Sequence, residues 1–411
     1  MRLVRKPGSS MLPITAAALV LSSLSPAQIS DEEVKLVPSG TDSSDHVGSS
    51  VALFGDWCAV GAEQDETVQG PGLGAVHMYL RQGTSWTESA KLSRPDGGDF
   101  GTAVALSGDT LAVGSPHTEA LGVAAGAVFV YRDIGGVWTL EDTLTPPVPD
   151  FDDWFGLCVA LDGDTLVTGA RFDDDSGLDA GAAYVFCRTG TAWSLQQKLV
   201  ASDGADRDWF GFSVAADGDT LLVGAPRVDG GAEQDLGAVY VFDRSGTVWT
   251  EQQKLYAAGA FRDDWFGYSL AIEGDRAAIG SPFDNELMND VGSVYVFERS
   301  AGSWSQSKRL NASDQGTGAE LGTSVALQGD RILAGAPFAR NWGAAYLFTK
   351  EDGTWREASR TKSSFRGVGG APPEYGEAVA LDGDRMVIGA YADREFGSRA
   401  GAAWAYTLTD V

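Results

Sequence analysis

One unit repeats seven times, and it leaves the chain little choice of fold. Its cleanest copy runs from Asp208 to Leu255, DWFGFSVAADGDTLLVGAPRVDGGAEQDLGAVYVFDRSGTVWTEQQKL. Four short apolar runs, rich in Val, Tyr, Phe and Trp and fenced by Gly, Asp and Ser, read as strands A to D. Asp217-Gly218 between the first two is a hairpin signal, read as a type I′ turn with positive φ at both central positions. The turn glycine recurs at Gly55, Gly108, Gly163, Gly218, Gly274, Gly329 and Gly383, 53 to 56 residues apart. A strand-C glycine keeps step at Gly74, Gly126, Gly181, Gly237, Gly292, Gly343 and Gly401. One four-stranded antiparallel unit cannot bury both its faces. Radial repetition solves this, because each sheet then covers its neighbour. The expected fold is all-β, a seven-bladed β-propeller of four-stranded antiparallel blades at about 45–93, 98–147, 152–203, 207–260, 262–314, 318–364 and 367–411.

The copies share three elements, F-G-x-S-V-A, V-G-A-P and G-A-V-Y-V-F. Phe100-Gly101, Phe155-Gly156, Phe210-Gly211 and Phe266-Gly267 carry the first. Gly224-Ala225-Pro226 and Gly335-Ala336-Pro337 carry the second intact, and Gly114-Ser115-Pro116 and Gly280-Ser281-Pro282 nearly so. Blades 1, 6 and 7 depart at the first, with Val47-Gly48, Leu321-Gly322 and Tyr375-Gly376. This pattern resembles the FG-GAP repeat of β-propellers, including the integrin alpha-chain head, over nearly the whole chain. The resemblance implies a non-catalytic binding or adhesion-type scaffold.

Residues 1–27 read as a secretory leader: Arg2, Arg5 and Lys6, an apolar stretch from Met11 to Leu24, then Ser25-Pro26-Ala27. The apolar core is short of the roughly 20 residues a spanning helix needs. A secreted protein cleaved near Ala27, with no membrane insertion of the mature chain, is the expectation. Six blades end in a tryptophan-led D strand, at Trp86, Trp138, Trp193, Trp249, Trp304 and Trp355. The seventh has none after Trp404. Val34-Lys35-Leu36-Val37 matches Lys198-Leu199-Val200 and Lys254-Leu255, so the stretch 31–40 is expected to complete the last blade and close the ring. Cys58, Cys158 and Cys187 are read as unbridged, since the last two sit about two strand spacings apart, too far for a disulfide.

The formal charge of −27 repels phosphate backbones, so nucleic acid is excluded as a partner and a cationic one is favoured. The chemistry inventory is thin. His46, His77 and His117 fall in different settings, and no phosphate loop, HExxH or CxxC pair is present. No enzyme is expected. Relatives in the resembled family hold calcium in an A–B loop of the form D-x-D-x-D-G-x-x-D. Here that loop is a two-residue turn and cannot supply the about six to eight oxygens calcium takes. The Asp after each turn glycine is read as closing the turn by hydrogen bonds. No cofactor is expected, with one possible calcium site in the B–C loop of blade 3 at Asp173, Asp175 and Asp179.

The face carrying the D–A and B–C loops is the candidate ligand surface. Three D–A loops read Asp153-Trp154-Phe155-Gly156, Asp208-Trp209-Phe210-Gly211 and Asp264-Trp265-Phe266-Gly267. The tryptophans occur in blades 3, 4 and 5 alone, which a purely structural role would not require. In the resembled family, aromatic rings from FG elements surround the central channel and receive a basic side chain. Phe100, Phe155, Phe210, Phe266 and Tyr375 are the matching positions, with Val47 and Leu321 leaving that ring incomplete. The expectation is a monomer that captures an Arg or Lys of a protein partner between these rings, Trp154, Trp209 and Trp265, and the carboxylates Asp153, Asp208 and Asp264. A lectin, stacking sugars on the tryptophans, is the first alternative, and a hydrolase body or accessory domain the second.

Overall fold

The computed structural model describes residues 27–410 except 67–71, 121, 232–233, 286–288, 315 and 363–372; all but the last residue of the leader lies outside it. Seven four-stranded antiparallel sheets follow one another around a ring. In blade 4 the strands are Ser213–Asp217, Thr220–Ala225, Ala238–Ser245 and Val248–Leu255. Strand B is the most buried because it lies inside the sheet with a blade on either side. All six residues of Thr220–Ala225 are buried. Strand D alternates, as an outer strand with one wet face should.

The seventh blade takes its fourth strand from the other end of the chain. Ala27–Leu36 runs antiparallel to Ala402–Asp410, pairing Val34 with Ala405 and Leu36 with Ala403. It does the work of a D strand in detail. Leu36, Leu199 and Leu255 are each 2% exposed. The Lys35 ammonium reaches Asp393 at 3.1 Å and lies 4.8 Å from the Trp404 ring, as Lys254 does with Asp203 and Tyr240 in blade 4.

The cores lie between blades rather than within them. Val167, Val185 and Leu199 of blade 3 pack on Phe210, Leu221, Tyr240 and Trp249 of blade 4. Backbone meets backbone across this contact, which explains why glycine marks the repeat. A Cβ on Gly211 (φ +86°) would lie 2.1 Å from the Ala182 carbonyl oxygen, and one on Gly169 1.8 Å from that of Gly211. Only glycine fits both the conformation and the space.

Two local expectations change. The paired residues are Asp217 and Thr220, so the turn is Gly218-Asp219 rather than Asp217-Gly218. Of these two only the glycine has positive φ, as in a II′ turn, not I′. Nor does the turn aspartate close its own turn with its carboxylate. Asp219 takes the Arg244 guanidinium of strand C at 2.6 Å, and Asp164 and Asp275 take Arg188 and Arg299 likewise. Cys58, Cys158 and Cys187 are free thiols.

Candidate functional site: the channel mouth

Each blade sends one four-residue segment to the inner end of the ring, and its members part ways. The second is Val47, Phe100, Phe155, Phe210, Phe266, Leu321 or Tyr375, all at most 1% exposed. Phe210 lies 5.2 Å from Tyr240 and 6.1 Å from Phe242, inside the interface between blades. This corrects the sequence reading. Phe100, Phe155, Phe210, Phe266 and Tyr375 fill blade interfaces and do not face a ligand. Val47 and Leu321 complete the same buried ring.

The residue before it is left-handed in every blade: His46, Asp99, Trp154, Trp209, Trp265, Glu320 and Glu374, with φ from 54° to 59°. Side chains larger than glycine pay for this conformation, and the surrounding ring holds it seven times over. The residue after the glycine lines a cavity of about 510 Å³ on the ring axis: Ser49, Thr102, Leu157, Phe212, Tyr268, Thr323 and Glu377. Glu63, Tyr391 and Arg399 add to its wall.

The aspartates before the tryptophans belong to the turns. Asp153, Asp208 and Asp264 are buried and accept the backbone N–H of Asp150, Ala205 and Phe261 at 3.2, 2.9 and 2.6 Å. Burial raises all three carboxyls, Asp153 to about 7 and Asp264 to about 6. The sequence reading had them facing a ligand; each carboxylate is instead engaged by the backbone of its own loop.

Trp154, Trp209 and Trp265 are half-buried, and they join an aromatic belt. Trp154 meets Phe172 at 4.9 Å, Phe172 meets Trp209 at 5.8 Å, and Trp209 meets Trp265 at 5.7 Å. Phe212 and Tyr268, 4.9 Å apart, carry the belt into the channel. The cation that these rings were expected to draw from a partner is supplied by the chain itself. Arg171 lies 4.2 Å from the Trp154 ring and 5.0 Å from Trp209, while Arg227 lies 4.5 Å from Trp209.

Across the channel the mouth is acidic. Glu320 and Glu374 occupy the tryptophan position in blades 6 and 7, and Glu377 and Glu63 line the cavity. Burial, reinforced by neighbouring carboxylates, raises Glu320 to about 7 and Glu377 to about 8. The Tyr391 hydroxyl is hydrogen-bonded to Glu374, and Glu63 faces His46 at 3.4 Å. Glu377 has no cationic partner among the described residues.

The three aspartates of the blade 3 loop, the expected calcium ligands, are engaged by cations of the chain itself. Lys198 reaches Asp173 at 2.7 Å and Asp175 at 2.5 Å, Asp173 also accepts the Tyr184 hydroxyl at 2.6 Å, and Asp179 turns to Arg207. An ammonium sits where calcium was envisaged. The same Tyr-carboxylate-cation triad recurs around Asp203, Asp284 and Asp314. It pins strands C and D to a loop.

The sequence reading missed Arg171, Arg227 and the acidic half of the mouth. One signal was available. Arg171 stands where the repeat has the proline of V-G-A-P, as do Glu63 and Tyr391, and all three departures reach the mouth.

The model of the FG-GAP repeat matches residues 31–79, 86–131, 138–186, 193–242, 249–297, 304–348 and 369–406. Integrin alpha-7 of Rattus norvegicus is 33% identical over 132 residues, covering 29% of this chain and 11% of the integrin. Integrin alpha-3 of Mus musculus is 32% identical over 152 residues, covering 34% and 13%. The chain thus spans little more than a tenth of the length of these relatives. Its repeats, the blade they build and the glycines that join the blades make the chain a member of the FG-GAP repeat family.

Proposed function

We propose that this is a non-catalytic, extracellular binding propeller of adhesion type, whose channel mouth receives a cationic side chain of a protein partner. The carboxylates of blades 1, 6 and 7, rather than the tryptophans, are its receptor. One observation carries the reading: Glu377, with Glu320, Glu374 and Glu63 around it, borders the axial cavity without a cation of its own. An inserted ammonium or guanidinium would relieve the repulsion among these groups and lower their affinity for protons. A sugar stacking on Trp154 or Trp209 would first have to displace Arg171 or Arg227, which favours a protein partner over a glycan. The extracellular placement rests on the leader-like residues 1–27. Among the described residues no helix is long and apolar enough to cross a membrane.

The test is a display library of loops carrying one central Lys or Arg, screened against the intact protein and against Glu374→Gln/Glu377→Gln. Selected loops should bind the variant at least tenfold more weakly, and raised salt should slow association with the intact protein. A folded variant that binds the same loops unchanged would sink the reading.

A further inference from the structure

We propose that Arg171 is an anion receptor, placed at the channel mouth to take a carboxylate group in bidentate fashion. This goes beyond the cation-receiving role of the opposite wall and does not depend on it.

The chain has 57 acidic residues and 30 basic ones, and many of its arginines meet a carboxylate. Arg227, on the same belt, shows the ordinary solution. Its guanidinium meets Asp235 through two nitrogens, at 3.1 and 3.3 Å. The residue of blade 3 that corresponds to Asp235 is Asp179, two positions before the strand-C glycine in each case. Asp179 faces Arg207 instead, 4.0 Å from its Nε. No hydrogen bond or ion pair joins Arg171 to a carboxylate among the described residues, although Asp152 and Asp179 lie near enough to act on it through their charge.

Its surroundings explain how such a group is tolerated and what it is positioned to do. Four rings, Trp154, Phe172, Trp209 and Phe212, stand 4.2, 4.5, 5.0 and 5.5 Å from the guanidinium carbon. Ring faces attract the cation yet offer its N–H groups no acceptor, so the forked donors stay available. Nε is buried without a partner. Burial lowers the guanidinium only to about 10, so it stays charged. A planar cation, fixed by rings and short of acceptors, is complementary to a carboxylate, which takes two parallel N–H bonds. The rings fix the plane of the guanidinium in advance.

The experiment titrates the intact protein with succinate, with sulfate and with a capped tripeptide bearing one central Asp. Tryptophan fluorescence reports from Trp154 and Trp209, and calorimetry serves as the second readout. Saturable carboxylate binding is expected, at least tenfold weaker in Arg171→Met and also weakened in Arg171→Lys, which keeps the charge but loses the fork. Circular dichroism confirms the fold. If Arg171→Met does not fold, Arg171→Lys decides: tenfold loss supports the assignment and unchanged affinity overturns it. Binding by the tripeptide alone would identify a protein side chain as the source, and binding by succinate as well would show that a free carboxylate suffices. The proposal falls if neither carboxylate binds, if sulfate alone binds, or if a folded Arg171→Met binds as well as the parent. Glu374→Gln/Glu377→Gln should leave anion binding intact, so the two readings fail separately.

Discussion

The ring has two rims, built from the same repeat, and they obey different rules. On the turn rim every blade presents Gly-Asp, and in every blade but the second the glycine N–H reaches back to the preceding blade. Gly55 finds Asp382 at 2.8 Å, Gly163 finds Ser107 at 3.1 Å, Gly218 finds Asp162 at 2.7 Å and Gly274 finds Asp217 at 2.6 Å. On the mouth rim one backbone conformation is equally strict, but its seven side chains are a histidine, an aspartate, three tryptophans and two glutamates. The fold dictates φ at both rims and dictates side chains at one. Where identity is released from the demands of the ring, it separates into an aromatic-arginine half and an acidic half. That separation is what a recognition surface needs.

The comparison breaks first where the backbone is crowded. Gly211→Val adds a Cβ 2.1 Å from a carbonyl oxygen at φ +86° and should cost more than about 4 kcal/mol, leaving little folded protein by calorimetry. Gly218→Ala has the same problem of φ but open space around it, and should cost about 1–2 kcal/mol. Equal losses at the two sites would mean that the interface is not closed by backbone contact.

Next comes the mouth. Trp209→Ala with Trp265→Ala removes rings that pack on each other and on Arg227. Truncating half-buried rings should cost about 2–4 kcal/mol in chemical denaturation, with the seven-bladed fold retained. Outright unfolding would place the belt among the structural necessities and erase the distinction between the rims.

The acidic half predicts a pH dependence. Glu320 and Glu377 have folded values near 7 and 8 against an ordinary value of 4.5. The folded state therefore holds more protons, and the stabilisation they give is complete below about pH 4.5 and lost as pH rises through 8. His77 has the same sign. Its ring meets Glu88 at 2.9 Å and Asp65 at 3.1 Å, and these bonds raise it despite full burial. The melting temperature should fall by a few degrees from pH 5 to pH 8.5, and Glu320→Gln/Glu377→Gln should flatten that fall. A rising curve would contradict the assignment.

The smallest effect is a repair. Phe54 holds the position that Ser107, Asp162 and Asp217 hold in blades 2 to 4, is 43% exposed, and offers Gly108 no acceptor. Phe54→Asp should supply the missing link and stabilise by about 0.5–1.5 kcal/mol in a denaturant titration. No gain would show that the rim bonds matter little one at a time.

The strands, the seven blades and the closing role of Val34-Lys35-Leu36 were legible in the sequence because local turn chemistry and strand period determine them. The pairing of Lys35 with Asp393 follows from the same match with Lys198 and Lys254. The site was half legible. Trp154, Trp209 and Trp265 stood out as departures from the repeat, yet which ring meets which cation depends on side chains well separated in the chain, some of them in different blades. Arg171 and Trp209 belong to different blades, and no local pattern joins them. Phe155 and Phe210 misled for a related reason. An aromatic residue beside an exposed loop can point inward, and the order of residues in so short a segment does not say which member does.

The pairing that closes the ring also sets a clock on its making. The hydroxyl of Thr409 bonds the carbonyl of Gln28 across 381 residues of chain. At about 5–20 residues per second of synthesis, the first strand waits on the order of 20–80 s for its partner to exist. Blades 1 to 6 can stack as they emerge, since each leans on the one before it. Throughout that interval the leading strand and the outer face of blade 1 have no neighbour. Ala27–Leu36 is thus the segment that waits longest, made first and paired last.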